Sequence, residues 1–261
     1  MKKIMTLAAI FAAVMMGITS CNPDDTKPEQ KPDTEQGGEN NGGENNGGEN
    51  NGGEENGGEA EYESPITIDG TFDDWAAIDA SKLAVATNYS ETKGGLKVMK
   101  VYADEVFINV YVEFDFEFVA DRGNSANPFS LYLCTDKERG GYNMWSDLCI
   151  EYMIQGTIFQ DDAFVSWDGG MYMWTGEVHG EGWNWGEALS SVAGQGAGTD
   201  NKYELCIMVE TLAGVMEFGD KFWMGADVQQ NWDSAGILPN AAVTEENPTG
   251  DAEMLEVTFV K

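Results

Sequence analysis

Hydrophobic and polar residues alternate with a period of two along much of this chain. The clearest example runs from Val106 to Phe114, where every second residue is Val, Ile or Phe. This period is typical of a β-strand with one buried face. Other strand-like stretches, separated by Gly, Asn and Asp clusters, are 83–87, 96–102, 129–135, 148–159, 164–167, 171–178, 203–210, 222–229 and 254–260. Helical periodicity is confined to a single turn near 211–213. The pattern predicts an all-β domain, an antiparallel two-sheet β-sandwich of jelly-roll or immunoglobulin-like architecture.

The first 60 residues lack this alternation and divide into two segments. In residues 1–20, Lys2 and Lys3 precede a short apolar run, and Ile18-Thr19-Ser20-Cys21 resembles a bacterial lipobox. The resemblance implies a signal peptide cleaved before Cys21, with lipid on the Cys21 sulfur as a membrane anchor. Residues 21–60 then carry Gly-Gly-Glu-Asn-Asn repeats. Such a sequence cannot bury enough apolar surface to fold, so we expect a disordered tether in front of a domain at 61–261.

The residues after the lipobox and the charge of the domain indicate where the protein is located and which classes of partner it can bind. The acidic residues that follow Cys21 are similar to the export signal of Bacteroidetes lipoproteins, which implies an outer-membrane lipoprotein exposed at the cell surface. Residues 61–261 contain 35 Asp and Glu against 10 Lys and Arg, a formal charge of −25. A surface of this sign repels phosphate backbones, so nucleic acid is excluded as a partner. The remaining classes are neutral or cationic partners and calcium.

The start of the domain carries a family resemblance. Residues 65–75 read Pro-Ile-Thr-Ile-Asp-Gly-Thr-Phe-Asp-Asp-Trp and resemble the opening strand and turn of family 9 carbohydrate-binding modules and the related DOMON domains. Segments 100–108, 147–151, 236–239 and 254–260 resemble later elements of that family in the same order. The resemblance implies a sandwich in which Ile66 and Ile68 point into the core and Trp75 covers its end.

Two tryptophans are the main candidates for ligand contact. Trp145 and Trp232 each lie in a polar loop beside a strand, and sugars are bound by stacking their flat faces on such rings. In sugar-binding members of the family, tryptophans at these two places sandwich the terminal sugar, with an Asn close before the second. Asn231 matches that position. The expected partners for sugar hydroxyls are Gln229, Asp147 and Glu151. The competing interpretation is that each tryptophan covers the core.

Other aromatic and sulfur-containing residues carry weaker predictions. The loop that contains Trp183 and Trp185 is rich in Gly and cannot easily bury both indoles, so one of them is expected to extend a binding face. Three cysteines follow Cys21 at positions 134, 149 and 206. An odd count without close pairing predicts small apolar thiols rather than a disulfide framework, although a bridge between Cys134 and Cys149 stays open.

Carboxylates invite a calcium interpretation. Asp69, Asp73 and Asp74 fall within six residues, and the pairs Asp161-Asp162 and Asp115 with Glu117 could also supply oxygen ligands. Structural calcium is common in the family, so it is kept as an alternative, with turn-forming or solvated aspartates as the default. No cofactor is otherwise indicated.

The sequence therefore predicts a non-catalytic surface lipoprotein that captures a neutral oligo- or polysaccharide and serves a polysaccharide-uptake machinery. An enzyme is not expected, since the single histidine, His179, accompanies no nucleophile motif and no pair of carboxylates stands out. One alternative is a haem-binding DOMON-type domain, with Met171, Met173 and His179 as ligands. Another is a structural or adhesive protein without a small ligand, in which Trp145 and Trp232 are buried.

Overall fold

Two antiparallel β-sheets pack face to face, as the alternating pattern predicts. A computed structural model describes residues 62–146, 150–186, 190–192 and 194–261 of the chain. The first sheet has five strands in the order β1-β2-β3-β9-β8. Its strands are β1 (Ala84–Thr87), β2 (Leu96–Ala103), β3 (Phe107–Phe114), β8 (Gly194–Thr199) and β9 (Lys202–Met208).

The second sheet has seven strands. Its order is β11-β10-β4-β5-β6-β7, and the last strand of the chain, β12, also pairs with β10. These strands are β4 (Phe129–Cys134), β5 (Tyr152–Gln160), β6 (Ala163–Met173), β7 (Ser190–Val192), β10 (Lys221–Gln230), β11 (Asp233–Leu238) and β12 (Leu255–Thr258). The helices are α1 (Asp73–Ala77), a 3-10 turn (Ala80–Lys82) and α2 (Val209–Ala213). Within the described ranges, none of these helices has the length and apolar character needed to cross a bilayer.

The main core lies between the two sheets. On β3, the side chains of Ile108, Val110, Val112 and Phe114 are fully buried, which confirms the inward face predicted from the alternation. The rings of Phe114 and Phe129 meet edge to face at 6.1 Å between centroids, joining β3 of one sheet to β4 of the other. Burying these apolar side chains between the sheets is the main source of stability in such an architecture.

Glycines account for two places where the sequence pattern missed strand structure. The stretch Asp168-Gly169-Gly170 separates two predicted strands in the sequence pattern, but it continues β6 because Gly169 and Gly170 pair with β5. The Gly-rich segment 194–199 forms β8 rather than a loop. A side chain on Gly196 would lie 2.0 Å from the Tyr203 hydroxyl. Glycine is therefore required where a neighbouring ring occupies the space above the strand.

The outer face of the five-stranded sheet is covered by the opening segment, residues 62–78. Glu204 of β9 is fully buried, and its carboxylate accepts hydrogen bonds from the backbone N–H groups of Asp69 (3.0 Å) and Gly70 (2.7 Å). It also accepts one from the indole Nε1–H of Trp75 at 2.8 Å. Trp75 is therefore a structural residue that packs on Tyr111, with 5.7 Å between ring centroids.

This arrangement corrects two expectations about the opening segment. Residues 66–68 do not form a strand, and Ile66 is buried in a separate cluster outside the five-stranded sheet rather than in the main core. Trp75 covers that outer face instead of the end of the sandwich. The physical reason is the buried Glu204 carboxylate, which binds the segment by hydrogen bonds across the face of the sheet.

Candidate ligand-binding surface

The outer face of the seven-stranded sheet carries a layer of aromatic side chains. Tyr132 of β4 lies opposite Gly225 of β10 and Met153 of β5, and Met153 lies opposite Tyr172 of β6. Loops add indoles and a phenol to this row. The layer contains Tyr132, Tyr142, Trp145, Tyr172, Trp174, Trp185 and Trp223. It forms a cluster separate from the main core on the opposite face of the sheet.

Trp145 lies inside this layer and is 4% exposed. Its ring packs over Gly225, where a Cβ atom would come within 2.4 Å of the indole, and meets Tyr132 at 5.5 Å between centroids. The indole Nε1–H donates to the carbonyl of Pro239 at 2.8 Å. With both its apolar surface and its donor used by the fold, Trp145 does not present the open stacking face expected of it.

Glu151 is also a structural residue in this geometry. Its buried carboxylate accepts hydrogen bonds from the backbone N–H (2.8 Å) and the hydroxyl (2.7 Å) of Thr135. The guanidinium of Arg139 contacts the other carboxylate oxygen at 2.5 Å. Since its acceptor sites are occupied by the protein, Glu151 is not placed to bind sugar hydroxyls. Asp147, the other acidic candidate, lies outside the described residues.

Gln229 lies on the outer face of β10 and serves a buried carboxylate. Its side-chain amide donates to Asp227 at 3.0 Å, and the hydroxyl of Ser234 donates to the same carboxylate at 2.5 Å. Burial raises the pKa of Asp227 to about 6, against the lowering effect of these two hydrogen bonds and of Lys93. Gln229 therefore stabilises the β10–β11 hairpin, because it shares the Asp227 carboxylate with Ser234 of β11.

Trp232 and Asn231 form the tip of that hairpin. Gln230 pairs with Asp233, so the two residues make a two-residue turn, and both have positive φ, 54° for Asn231 and 68° for Trp232. The backbone N–H of Asn231 donates to the Asn127 carboxamide oxygen at 2.7 Å, and that of Trp232 donates to the Ala126 carbonyl at 2.8 Å. The Trp232 side chain is 59% exposed. An indole is thus held in solvent on a fixed backbone.

The structure does not bring the two predicted tryptophans together. Trp145 packs over Gly225 in the middle of β10, while Trp232 lies seven residues further along the chain, at the tip of the hairpin. At about 3.3 Å per residue this is a separation of about 20 Å. A single sugar cannot be sandwiched between them. The expectation of a joint platform is therefore wrong, because Trp145 is buried over the middle of β10 and Trp232 stands at the turn that follows this strand.

A cleft that the sequence did not indicate lies beside Trp145. We name it the Tyr89 cleft. It encloses about 860 Å³, within the range of ligand-binding pockets. Four segments line it: 89–93, 143–146, Ile237 with 239–243, and 249–252. The Tyr89 side chain is 58% exposed at this cleft. Lys93 places a cation in the same cleft as Trp145.

The loop from Trp174 to Gly186 presents one further exposed indole. Trp183 is 62% exposed, whereas Trp185 is buried against Tyr132 and Tyr142, which confirms that the loop buries one indole and exposes the other. Asn143 connects this loop to the Tyr89 cleft, since its side-chain amide donates to Glu181 at 3.1 Å.

Neither Asp69 and Asp74 nor the pair Met171 and His179 is arranged to hold a metal or haem iron in the part of the chain that the structure describes. Within the described part of the chain no group of three or more His, Cys, Asp or Glu side chains could hold an ion. Asp69 accepts hydrogen bonds from Thr71, and Asp74 accepts one from the backbone of Thr67, so both stabilise turns. Met171 lies in the main core, on the opposite side of the sheet from the loop that carries His179. These two residues cannot ligate one iron atom.

Cysteine positions are only partly described. Cys134 and Cys206 are buried, as expected of small apolar residues, and burial raises the pKa of the Cys206 thiol. Cys21, the predicted lipidation site, and Cys149 lie outside the described residues.

Comparison with known proteins adds no assignment. No protein-family model matches the chain, and no curated protein matches it.

Proposed function

We propose that the domain is a non-catalytic binding module that captures a neutral glycan, with the indole of Trp232 as a stacking face. The observation that carries this proposal is an exposed tryptophan at a turn where both residues have positive φ. A left-handed backbone costs about 1–2 kcal/mol for a residue with a Cβ atom. Glycine is the usual second residue of such a turn. Ligand contact explains a tryptophan at this position better than the fold does.

Chemistry around the turn supports a neutral, hydroxyl-rich ligand. Asn231 places a carboxamide beside the indole, and its backbone is fixed by Asn127. The combination of a flat ring and an amide matches the alternating apolar faces and hydroxyl edges of a sugar. The formal charge of −25 over residues 61–261 disfavours anionic ligands. The sequence resemblance of residues 65–75 to carbohydrate-binding modules points to the same class.

The setting that we propose follows from the first 60 residues. Lipid on Cys21 anchors the protein to the outer membrane, and the Gly-rich tether carries the domain at the cell surface. In that setting the module captures glycan and passes it to a polysaccharide-uptake machinery. Labelling with a membrane-impermeant reagent on intact cells tests this location, since a periplasmic protein would stay unlabelled.

The substitution Trp232→Gly tests the binding proposal sharply, because it removes the indole and relieves the turn at once. We expect at least a tenfold loss of affinity, equivalent to about 1.4 kcal/mol, for whichever of amylose, xylan, laminarin and mixed-linkage β-glucan binds the wild-type protein. Isothermal titration calorimetry measures this.

The matched control is Asp161→Gly, at a second two-residue turn with positive φ. Asp161 is the first residue of its turn, and the substitution relieves a left-handed backbone without removing an aromatic residue, so we expect binding to stay at the wild-type level. A folded Trp232→Gly protein that binds like wild type would overturn the role of Trp232. If the folded wild-type protein binds none of the four polysaccharides, the alternative of an adhesive protein without a small ligand is favoured.

A further inference from the structure

We propose that the Tyr89 cleft is a second saccharide-binding site, so that one polysaccharide chain is held at two points, the cleft and Trp232. This inference rests on the proposed glycan-binding function and deepens it. It assigns to the cleft a ligand of the same class and gives the protein a preference for long chains over short ones.

One wall of the cleft is organised by Asn240. Its carboxamide oxygen accepts the backbone N–H of Tyr89 at 2.7 Å, and its amide nitrogen donates to the Asn88 side chain and the Ile237 carbonyl, both at 2.9 Å. A single side chain therefore ties the loop between β1 and β2 to the end of β11. Tyr89 is held at the cleft through its backbone, which leaves its ring exposed.

Hydrogen bonds also hold the opposite walls. Trp145 donates to Pro239, and Ser146 donates to the Ala252 carbonyl through both its backbone N–H (3.0 Å) and its hydroxyl (2.9 Å). Ala241 donates to the Gly250 carbonyl at 3.0 Å. Since these contacts are made by the protein itself, the cleft exists before a ligand enters. A preformed site avoids the entropic cost of ordering loops on binding.

The lining of the cleft suits an uncharged saccharide. The exposed Tyr89 ring offers a flat apolar face, and hydroxyl, amide and backbone groups surround it. Charged side chains of both signs are present, with Lys93 on one wall and Glu91 and Asp251 also lining the cleft. A mixed lining does not select a strongly charged ligand, in contrast to the acidic surface of the domain as a whole.

The cleft and Trp232 lie along the same hairpin. Ile237 belongs to the cleft lining, and Trp232 precedes it by five residues, which corresponds to about 17 Å of strand. A long chain bound at one point is kept at high effective concentration near the other. A short oligosaccharide reaches one point only and gains nothing from the second.

The test measures affinity against chain length. Calorimetry uses the polysaccharide from the neutral panel that binds best, together with its oligosaccharides from disaccharide to octasaccharide. We expect Tyr89→Ala and Trp232→Gly each to lower polysaccharide affinity by about a hundredfold, while the shortest oligosaccharides still bind at the unmodified site. The double variant should bind neither. Ala242→Trp, which fills the cleft from an exposed position without removing a contact, should reproduce Tyr89→Ala.

The outcomes separate this inference from the function on which it rests. If Trp232→Gly abolishes binding at every length while Tyr89→Ala and Ala242→Trp have no effect, the cleft is not a site and the proposed function stands. If the cleft variants alone reduce binding, Trp232 is not a contact and the two-point inference fails. Val85→Ala, an exposed apolar residue on β1, should leave every affinity unchanged.

Discussion

The outer faces of the two sheets both carry a buried tryptophan on a tyrosine, but they are covered in different ways. On the five-stranded sheet, Trp75 packs on Tyr111 and donates its indole N–H to the Glu204 carboxylate. On the seven-stranded sheet, Trp145 packs on Tyr132 and donates to a backbone carbonyl. One continuous segment covers the first face, and a cleft of about 770 Å³ lies beside its residues Tyr62 and Glu63. Separate loops cover the second face and leave the Tyr89 cleft between them. The number of aromatic residues therefore does not by itself locate a site.

The largest expected change in stability comes from a substitution beneath the opening segment, on the outer face of the five-stranded sheet. Glu204→Ala removes three hydrogen bonds to a buried carboxylate and leaves the N–H groups of Asp69, Gly70 and Trp75 without their acceptor. We expect a loss of about 4 kcal/mol in the free energy of unfolding, measured by urea denaturation. Glu210→Ala, at an exposed glutamate of α2, is the control and should change little. A loss below about 1 kcal/mol would show that Glu204 does not hold the opening segment.

The second prediction applies the same reasoning to the open face. Trp145→Ala leaves a cavity over Gly225 and removes the hydrogen bond to Pro239. We expect a loss of about 3 kcal/mol, seen as a lower Tm by calorimetry. Trp183→Ala, at an indole that is exposed on the same side of the sheet, should stay within about 0.5 kcal/mol of wild type. Equal effects of the two substitutions would contradict the burial of Trp145.

The free energy of unfolding should also depend on pH through Asp227, a buried carboxylate of the seven-stranded sheet. Because burial raises the pKa of Asp227 to about 6, its native state binds a proton more tightly than the unfolded chain does. This group's contribution to stability therefore falls as the pH rises from about 4 to 6. Asp227→Asn removes the penalty, so we expect a gain of about 2 kcal/mol at neutral pH and little change near pH 4. Denaturation across the pH range, with exposed Asp233→Asn as control, checks this. A gain that is the same at both pH values would rule out titration as the cause.

The smallest expected effect concerns Arg139. Its guanidinium is largely exposed, while its partner Glu151 is buried and keeps two hydrogen bonds from Thr135 without it. We expect Arg139→Ala to cost about 1 kcal/mol. A double-mutant cycle with Thr135→Val measures how far the two partners act together. Full additivity would indicate that they stabilise the Glu151 carboxylate independently.

Strand positions were predictable wherever side chains carry the pattern. The inward residues of β3 followed from the alternation alone, and the helical turn expected near 211–213 is part of α2. The pattern failed at β8, where glycines replace side chains because rings from neighbouring strands fill the space. A Cβ atom on Gly198 would lie 2.5 Å from Phe164. Local composition cannot reveal a contact of this kind with a distant strand.

The candidate site was less predictable than the fold. Trp145 and Trp232 share the same local signal, a loop next to a strand, yet one is buried over Gly225 and the other stands at a turn. The difference is that Gly225 of β10 leaves room for the Trp145 ring on the sheet, whereas Trp232 lies in a turn beyond the end of that strand. Tyr89 was missed because its position depends on Asn240, 151 residues away in the chain.

The buried Glu204 carboxylate also determines when, during folding, the opening segment can dock on the sheet. Asp69 and its acceptor are separated by 135 residues, so the opening segment is synthesised long before the strand that receives it. Contacts of such long range close late, because the chain between them must first be organised. Until β9 is in place, Ile66 and the outer side of Tyr111 stay uncovered. The opening segment can therefore dock only after most of the domain has been synthesised and folded. In a chain truncated before β9 this segment would stay undocked and accessible to proteases.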